Sequence, residues 1–223
     1  QQDSAVLGAL EALGLSDSTR VVYSSDHGEC LGARGLFGKF TMYDEAAAVP
    51  LIAAGPDVPE GHVVETPVSL VDVFPTALEC VGADPAEAEL TGRSLWQIAN
   101  EGNTERTVLS EYHALGTEHA CFMLRRRRYK YIYYVGAPSQ LFDLREDPDE
   151  LDDLSTSFAH RTLVADFERE LRSMLDPEAI DARARADQRA MVERCGGEDA
   201  VRAKGAFDHS PTPGEQPAFR THP

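Results

Sequence analysis

The sequence predicts a mixed α/β fold, in which an α/β portion is followed by a small antiparallel sheet with a helix packed on it. Two observations carry this prediction. In the first hundred residues, short apolar strand-like runs alternate with helix-like segments. From residue 107 onward, strand-like runs follow one another directly, separated by turn signals such as Asp147-Pro148-Asp149. Consecutive strands at this spacing favour an antiparallel sheet.

The first portion contains a helix, two strands and a second helix. Residues 3–15 place apolar side chains on one face and predict an amphipathic helix. Val21–Ser25 predicts a buried strand, and Val49–Ala54 predicts a second. Ser69–Val81 predicts a helix, with Pro75 near its first turn or at a kink. Together these segments predict a β-α-β-like half of an α/β sheet.

The second portion combines short strands with one helix. The predicted strands are Thr107–Glu111, Ala120–Leu124, Tyr129–Val135 and Gln140–Leu144. Phe158–Leu175 predicts the helix that packs on their sheet. We therefore divide the chain into an α/β portion over residues 1–103, a sheet-and-helix subdomain over 104–175, and a helical arm and tail over 176–223.

Composition narrows the function classes. The 223 residues carry 21 Lys or Arg against 38 Asp or Glu, a formal net charge of −17, which argues against a nucleic-acid partner. No run approaches the roughly 20 apolar residues of a membrane helix, and the N-terminus shows no leader-like pattern. The four cysteines have no CxxC spacing, so we expect free thiols. These observations favour a cytoplasmic protein that does not bind membranes.

A carboxylate and an imidazole follow the first predicted strand directly. Asp26 and His27 can both bind one divalent cation if the chain turns at the strand end, since neighbouring residues on a regular strand face opposite sides. Gly28 permits such a turn. The alternative is a hydrogen-bonded capping turn without a metal. Two ligands do not complete a metal shell, so any others come from elsewhere.

A glycine-rich loop follows this pair. Gly32, Gly35 and Gly38 would let the loop fold back and bring Lys39 toward the same point as Asp26 and His27. A cation together with an ammonium group is suited to a tetrahedral oxyanion such as sulfate or phosphate. The sequence therefore predicts an oxyanion site here.

These residues resemble a known family. The segment from Ser25 to Lys39, continued by residues 41–52, resembles the C-terminal half of type I sulfatases, in the alkaline phosphatase superfamily. Further matches keep the family's order over about residues 20–175. They are Thr66–Thr76 (an Asp-hydrophobic-x-Pro-Thr helix), Gly92–Leu95 (a Gly-x-Ser-Leu turn), Arg128–Tyr131 (a basic, tyrosine-containing strand) and Gln140–Pro148 (a Leu-aromatic-Asp-Leu turn). His27 favours the branch of choline sulfatases and phosphonate monoester hydrolases.

The resemblance implies an alkaline-phosphatase-like sandwich fold and a set of site roles. Asp26 and His27 would be metal ligands, and Lys39 would contact the sulfuryl oxygens as a catalytic and substrate-binding residue. The implied metal is calcium, with manganese or magnesium as alternatives, and the implied nucleophile is a formylglycine. Many relatives have a histidine at the position of Arg34. The role of that histidine is therefore not assigned to Arg34.

The family's nucleophile motif, Cys or Ser followed by x-Pro-Ser/Ala-Arg, has no match in this sequence. We therefore expect the chain to be the C-terminal part of a longer sulfatase, inactive by itself and homo-oligomeric when complete. The implied substrate is a small-molecule sulfate ester. Hydrolysis of phosphonates or phosphodiesters on the same scaffold is one alternative, and a non-catalytic binding or assembly chain is another.

Two further features leave alternatives open. His113 follows a short strand and is a candidate substrate contact, although a packed or surface histidine is the favoured interpretation. The run Arg125–Arg128 resembles a polyanion site, but pairing with the acidic segment Asp147–Asp153 is the favoured interpretation in so acidic a chain.

Overall fold

The computed structural model describes residues 2–84, 90–113, 117, 119–207 and 219–220. The chain divides into two compact units, one that ends at Leu171 and one that begins at Arg172. The three-part division made from the sequence stays a prediction.

The first unit opens with helix α1 (Gln2–Ala12) and a pair of short strands, β1 (Val21–Ser24) and β2 (Leu51–Ala54). The strands pair antiparallel, with Val21 opposite Ala54. The predicted β-α-β-like arrangement is wrong here, because that unit requires parallel strands. The short helix α2 (Asp44–Ala47) lies between them.

The prediction that the first strand is buried is also wrong for this chain. Val22 is 40% exposed, Tyr23 48% and Ile52 61%. A short apolar run indicates that a strand prefers burial, but other elements must cover it. The described residues leave this strand pair partly uncovered.

The predicted second helix is confirmed. A 3₁₀ turn at Leu70–Asp72 leads into α3 (Val73–Cys80), and Pro75 lies in its first turn, where its missing N–H costs little. Helix α4 (Leu95–Glu101) follows, and the Ser94 side chain accepts a hydrogen bond from the Trp96 backbone N–H at its start.

The predicted antiparallel sheet is confirmed. Strands β3 (Thr107–Tyr112), β4 (Cys121–Arg126), β5 (Tyr129–Tyr134) and β6 (Gln140–Asp143) lie in chain order, each antiparallel to the next. Their register places Leu109 opposite Leu124 and Leu124 opposite Tyr131.

The two faces of this sheet pack against different elements. Helix α5 (Arg161–Met174), the predicted packing helix, covers one face, where the Tyr131 and Phe167 rings stack with centroids 5.7 Å apart. On the other face, buried Met42 contacts a cluster contributed by the strands, namely Cys121, Met123, Ile132 and Phe142. This second face therefore holds the segment that follows the glycine-rich loop.

The second unit contains α6 (Pro177–Arg194), α7 (Glu198–Lys204) and the short pair β7 (Ala206–Phe207) and β8 (Phe219–Arg220). The Asp176 carboxylate caps α6 by accepting the Ala179 N–H at 3.0 Å. The segment that begins at residue 176, which we predicted to be a helical arm, therefore contains two helices, α6 and α7. No helix in the described ranges has the length and apolar character needed to cross a bilayer.

Candidate functional site

Asp26 and His27 lie immediately beyond β1, where the chain leaves the regular strand geometry. Asp26 Oδ2 and His27 Nε2 are 3.4 Å apart, so both side chains reach the same point. The His27 backbone N–H donates to Asp26 Oδ1 at 3.0 Å, and Ser25 Oγ donates to the His27 carbonyl at 2.9 Å. The expected turn at the strand end is therefore present.

The pKa of Asp26 is lowered from its ordinary value. Desolvation raises this pKa, but the neighbouring His27 and the hydrogen bonds from the His27 N–H and from Ser25 together outweigh it. Asp26 is thus held as a carboxylate, which is the form that binds a cation.

The ring of His27 is oriented by the backbone carbonyl of the next residue, Gly28. Nδ1 lies 2.8 Å from the Gly28 carbonyl, which can only accept, so Nδ1 carries a hydrogen and Nε2 is the nitrogen left to bind a metal. Metal-binding histidines are commonly oriented by such a hydrogen bond from the second ring nitrogen. The chemistry of the two donors therefore fits a divalent cation.

This pair does not complete a metal site. Within the described ranges, no group of three or more His, Cys, Asp or Glu side chains is arranged to hold a metal ion. A divalent ion bound by Asp26 and His27 needs further ligands that these residues do not supply.

Gly28 is required by a close backbone approach rather than by an unusual φ. Its N–H donates to the Ala46 carbonyl at 2.9 Å, and a Cβ atom here would lie 2.1 Å from the Glu45 carbonyl oxygen. Any side chain would push α2 away from the Asp26–His27 turn. The sequence pointed to this glycine correctly, but for a different physical reason.

The glycine-rich loop folds back as predicted. Cys30 N–H donates to the Gly38 carbonyl at 2.9 Å, and Gly32 N–H donates to the Leu36 carbonyl at 2.8 Å. Gly32 and Gly38 have φ values of 97° and 87°, which side chains disfavour. The loop thereby returns the chain to the strand end at Lys39.

A cavity of about 620 Å³ collects these groups. Asp26, His27 and Lys39 all line it, so the structure brings together three of the four predicted site residues. Other polar or charged side chains in the lining are Ser24, Thr41, Asp44, Glu65, Ser69, Ser110, Glu111, Tyr112, Arg125 and Lys130.

The fourth predicted residue, His113, is not in that lining. Its ring packs edge-on against Phe122 with centroids 5.4 Å apart, and its Nε2 lies 3.4 Å from Glu111 Oε2. This environment matches the alternative of a packed histidine, and the substrate-contact role stays a prediction.

Arg34 is not among the residues that line the cavity. Its guanidinium donates to the backbone carbonyls of Asp149 and, at 2.7 Å, of Glu150, and it lies over the Tyr43 ring. Arg34 therefore fastens the glycine-rich loop to the turn that follows the sheet.

The buried side chain of Lys130 holds together segments that line the cavity. It is 1% exposed, and its Nζ contacts Asp44 Oδ1, Glu150 Oε1 at 2.7 Å and the Met42 carbonyl at 3.0 Å. Glu150 in turn accepts the Asp44 N–H at 2.7 Å. This buried network ties β5 to the segment that leads from Lys39 into α2.

A second buried network explains two of the family-like motifs. Asp72 is fully buried and accepts hydrogen bonds from Arg106, from the Arg93 N–H and from the Ser69 N–H. Gly92 is needed because a Cβ there would lie 2.1 Å from the Val71 carbonyl oxygen. The Asp-x-x-Pro-Thr helix and the Gly-x-Ser-Leu turn are therefore two halves of one structural joint.

The four consecutive arginines have four different environments. Arg126 pairs with Glu170, Arg127 with Glu105, and Arg128 with Asp143 and Glu146. The ion pairs of Arg126, Arg127 and Arg128 thus lie outside the predicted segment Asp147–Asp153, because strand alternation and the hairpin direct these side chains elsewhere. Glu150 of that segment attracts Arg125 electrostatically. Arg125 alone of the four lines the cavity.

Sequence reasoning missed Arg125 and Lys130 as site residues. Their signal was the alternation along β4 and β5, which places Arg125 on the same face as Met123 and opposite Lys130. Because four arginines follow one another, polar and apolar residues do not alternate there, and the sequence alone did not show which face Arg125 occupies.

Comparisons with known proteins agree with this geometry. The family described as N-sulphoglucosamine sulphohydrolase, C-terminal, matches residues 32–176, more than half of the chain. The chain belongs to the type I sulfatase family. This sulfatase chain is 36% identical over 197 residues to arylsulfatase K of Canis lupus familiaris and of Homo sapiens, covering 81% of this chain and 36% of each relative.

Solved structures support the same family. A sulfatase of Bacteroides thetaiotaomicron VPI-5482 superposes with a TM-score of 0.68 at 28% identity, covering 84% of this chain and 41% of that one. A phosphonate monoester hydrolase of Silicibacter pomeroyi superposes with a TM-score of 0.65 at 30% identity, covering 76% and 37%. The predicted α/β, alkaline-phosphatase-like fold is confirmed, whereas the choline-sulfatase-like branch stays a prediction. The sulfatase chain spans about a third of the length of its arylsulfatase K relatives.

Proposed function

We propose that this sulfatase chain forms the metal- and substrate-binding wall of an enzyme that hydrolyses small-molecule sulfate esters. The observation that carries the proposal is the convergence of Asp26, His27 and Lys39 on one cavity. The family membership and the arylsulfatase K relatives support the same reaction class.

In this proposal Asp26 Oδ2 and His27 Nε2 bind one divalent ion. A bound divalent ion withdraws charge from sulfuryl oxygens and stabilises the oxyanion that develops on them. Calcium suits the carboxylate donor, and manganese or magnesium would also accept this mixed pair. A formylglycine nucleophile is proposed for the complete protein.

Lys39 supplies the second positive charge. Its side chain is exposed at the end of the glycine-rich loop, and the Lys130 network holds the segment that follows it. An ammonium group close to the sulfuryl oxygens stabilises the negative charge that develops on them in the transition state. Lys39 would therefore contact the sulfuryl oxygens.

Several finer assignments belong to the same proposal. They are a cytoplasmic location, a homo-oligomeric complete protein, and the absence of nucleic-acid or membrane partners. The net charge of −17 supports the exclusion of nucleic acid.

Phosphonate ester hydrolysis is the second candidate. It is favoured by the phosphonate monoester hydrolase of Silicibacter pomeroyi among the solved relatives. Both reactions develop negative charge on oxygens around a tetrahedral centre, so the same residues would serve either.

The deciding experiment compares kcat/KM of the complete protein for 4-nitrophenyl sulfate and for 4-nitrophenyl phenylphosphonate. A preference for the sulfate, together with a large loss of that activity in Lys39→Ala, supports the proposal. A preference for the phosphonate favours the second candidate. Turnover of neither ester, after divalent metal is supplied, would contradict both and favour a non-catalytic binding chain.

A further inference from the structure

Arg125 lies in the cavity but has no role in the network around it. Strand β4 alternates, so Cys121, Met123 and Arg125 face the same side, and the first two belong to the apolar cluster. Arg125 is the next residue on that face and lines the cavity together with Asp26 and Lys39.

One nitrogen of the Arg125 guanidinium has no hydrogen-bonding partner within the part of the chain that the structure describes. This atom, Nη1, is buried. Burial lowers the pKa of Arg125, while the negative charges of the Asp44, Glu150 and Asp143 carboxylates act in the opposite direction. A buried guanidinium nitrogen without a hydrogen-bonding partner is costly, and an anion that accepts its hydrogen would remove that cost.

The nearby carboxylates are already engaged. Asp44 and Glu150 both contact Lys130, and Asp143 pairs with Arg128 at 2.6 Å. They contribute a local negative field without neutralising Arg125 by direct contact. The arginine is therefore left to bind a group that enters the cavity.

We propose that Arg125 binds a second anionic group, on the alcohol part of the sulfate ester, while Lys39 contacts the sulfate that is cleaved. This inference rests on the proposed function. The planar guanidinium matches a carboxylate or a second sulfate through two parallel hydrogen bonds. A cavity of about 620 Å³ can hold both groups of a single-ring ester. The substrate class is thus a sulfate ester with a second negative charge.

The test uses the complete protein and three esters. They are 4-carboxyphenyl sulfate, its methyl ester as the neutral counterpart, and 4-sulfophenyl sulfate as the second anion. We expect Arg125→Gln to lower kcat/KM for at least one charged ester about 10- to 100-fold. The neutral ester should change less than about threefold. The charged ester that loses more identifies the preferred anion.

Two variants control this comparison. Arg127→Gln removes an exposed arginine of the same strand–turn segment, paired with Glu105, and should leave all three rates unchanged. Arg125→Lys keeps a charge without the planar fork and should retain part of the preference for charged esters. If Arg125→Gln does not fold, the charged-to-neutral ratio in Arg125→Lys decides.

Equal losses for charged and neutral esters would overturn the inference, because Arg125 would then serve the fold or the cleaved sulfate. The affinity for 4-hydroxybenzoate, measured by calorimetry, tests the anion site without requiring turnover. It therefore separates this inference from the proposed function. Suppose that wild type turns over none of the esters, but that Arg125→Gln binds 4-hydroxybenzoate at least tenfold more weakly than wild type. The proposed function would then fail, while the anion site would be supported. Binding that does not depend on Arg125 overturns the anion site.

Discussion

Asp72 and Arg106 form a bidentate ion pair across 34 positions of the chain, with Nη1–Oδ2 and Nη2–Oδ1 distances of 2.7 Å each. The carboxylate also accepts the N–H groups of Ser69 and Arg93, both at 2.8 Å. One buried carboxylate thereby joins the start of α3, the turn before α4 and the segment that enters β3.

Replacing Asp72 by Asn should destabilise the first unit by about 3 kcal/mol, because it leaves Arg106 without its buried counter-charge. The measurement is urea denaturation of the 223-residue chain at a fixed protein concentration. Asp57→Asn is the matched control, since Asp57 pairs with Arg20 but its side chain is 84% exposed. A similar change in both variants would contradict the importance of the Asp72 joint.

The contribution of Asp72 should also depend on pH. Burial raises the pKa of Asp72, but hydrogen bonds from Arg106, Arg93 and Ser69 outweigh burial and lower it. A carboxylate with a lowered pKa stabilises the fold fully above its unfolded pKa of about 3.9, and that stability is lost as the pH falls through the folded pKa. The stability difference between wild type and Asp72→Asn should therefore shrink below about pH 4. A difference that stays constant from pH 7 to pH 3 would contradict this account.

The Lys130 network gives a third prediction. Lys130→Met should cost about 3 kcal/mol, because it leaves the Glu150 carboxylate buried beside Asp44. The double variant Lys130→Met/Glu150→Gln should recover part of this loss, since glutamine is neutral and can still accept the Asp44 N–H. Urea denaturation of both variants is the check, with the exposed Lys204→Met as control. An unrecovered double variant would show that packing, not charge, dominates.

Lys39 should behave in the opposite way. It makes no hydrogen bond or ion pair with any described residue, so Lys39→Ala should leave the melting temperature unchanged. In the complete protein, kcat/KM for 4-nitrophenyl sulfate should nevertheless fall about 100-fold, as for other lost oxyanion donors. A parallel loss of stability and activity would indicate a structural lysine.

Self-association of the isolated chain is a further expectation. Tyr23 pairs with Ile52, and both side chains are largely exposed on the β1–β2 pair. Exposed apolar strands favour association with other chains. Light scattering should show a mass above 24.4 kDa that increases with concentration. Ile52→Lys should lower this mass, and a concentration-independent monomer in wild type would contradict the expectation.

The sequence was most informative where the signal is local. The β3–β6 sheet and α5 follow from alternation and helical spacing within each segment, so their positions and pairing could be predicted. The direction of β1 against β2 depends on contacts between distant segments, which a single short apolar run does not encode. The partners of Arg125 and Lys130 depend in the same way on which face of the sheet each residue occupies.

Some features of the candidate site could likewise be predicted from the sequence, and others could not. The position of Asp26 and His27 beyond a strand end was readable from the sequence, and so was the return of the loop to Lys39. The need for Gly28 to admit the Glu45 carbonyl was not readable, because it depends on where α2 packs.

The central claim is that Asp26 and His27 bind one divalent ion that the reaction requires. The most direct measurement is kcat/KM of the complete protein for 4-nitrophenyl sulfate after chelation and stepwise return of calcium, manganese or magnesium. We expect Asp26→Asn to lose at least about 100-fold at every metal concentration, since even outer-shell changes cost 10- to 100-fold. His27→Asn should retain a measurable part with an altered metal preference, because asparagine still offers an oxygen. Equal activity and equal metal dependence in wild type and Asp26→Asn would contradict the claim and leave the pair as a structural turn.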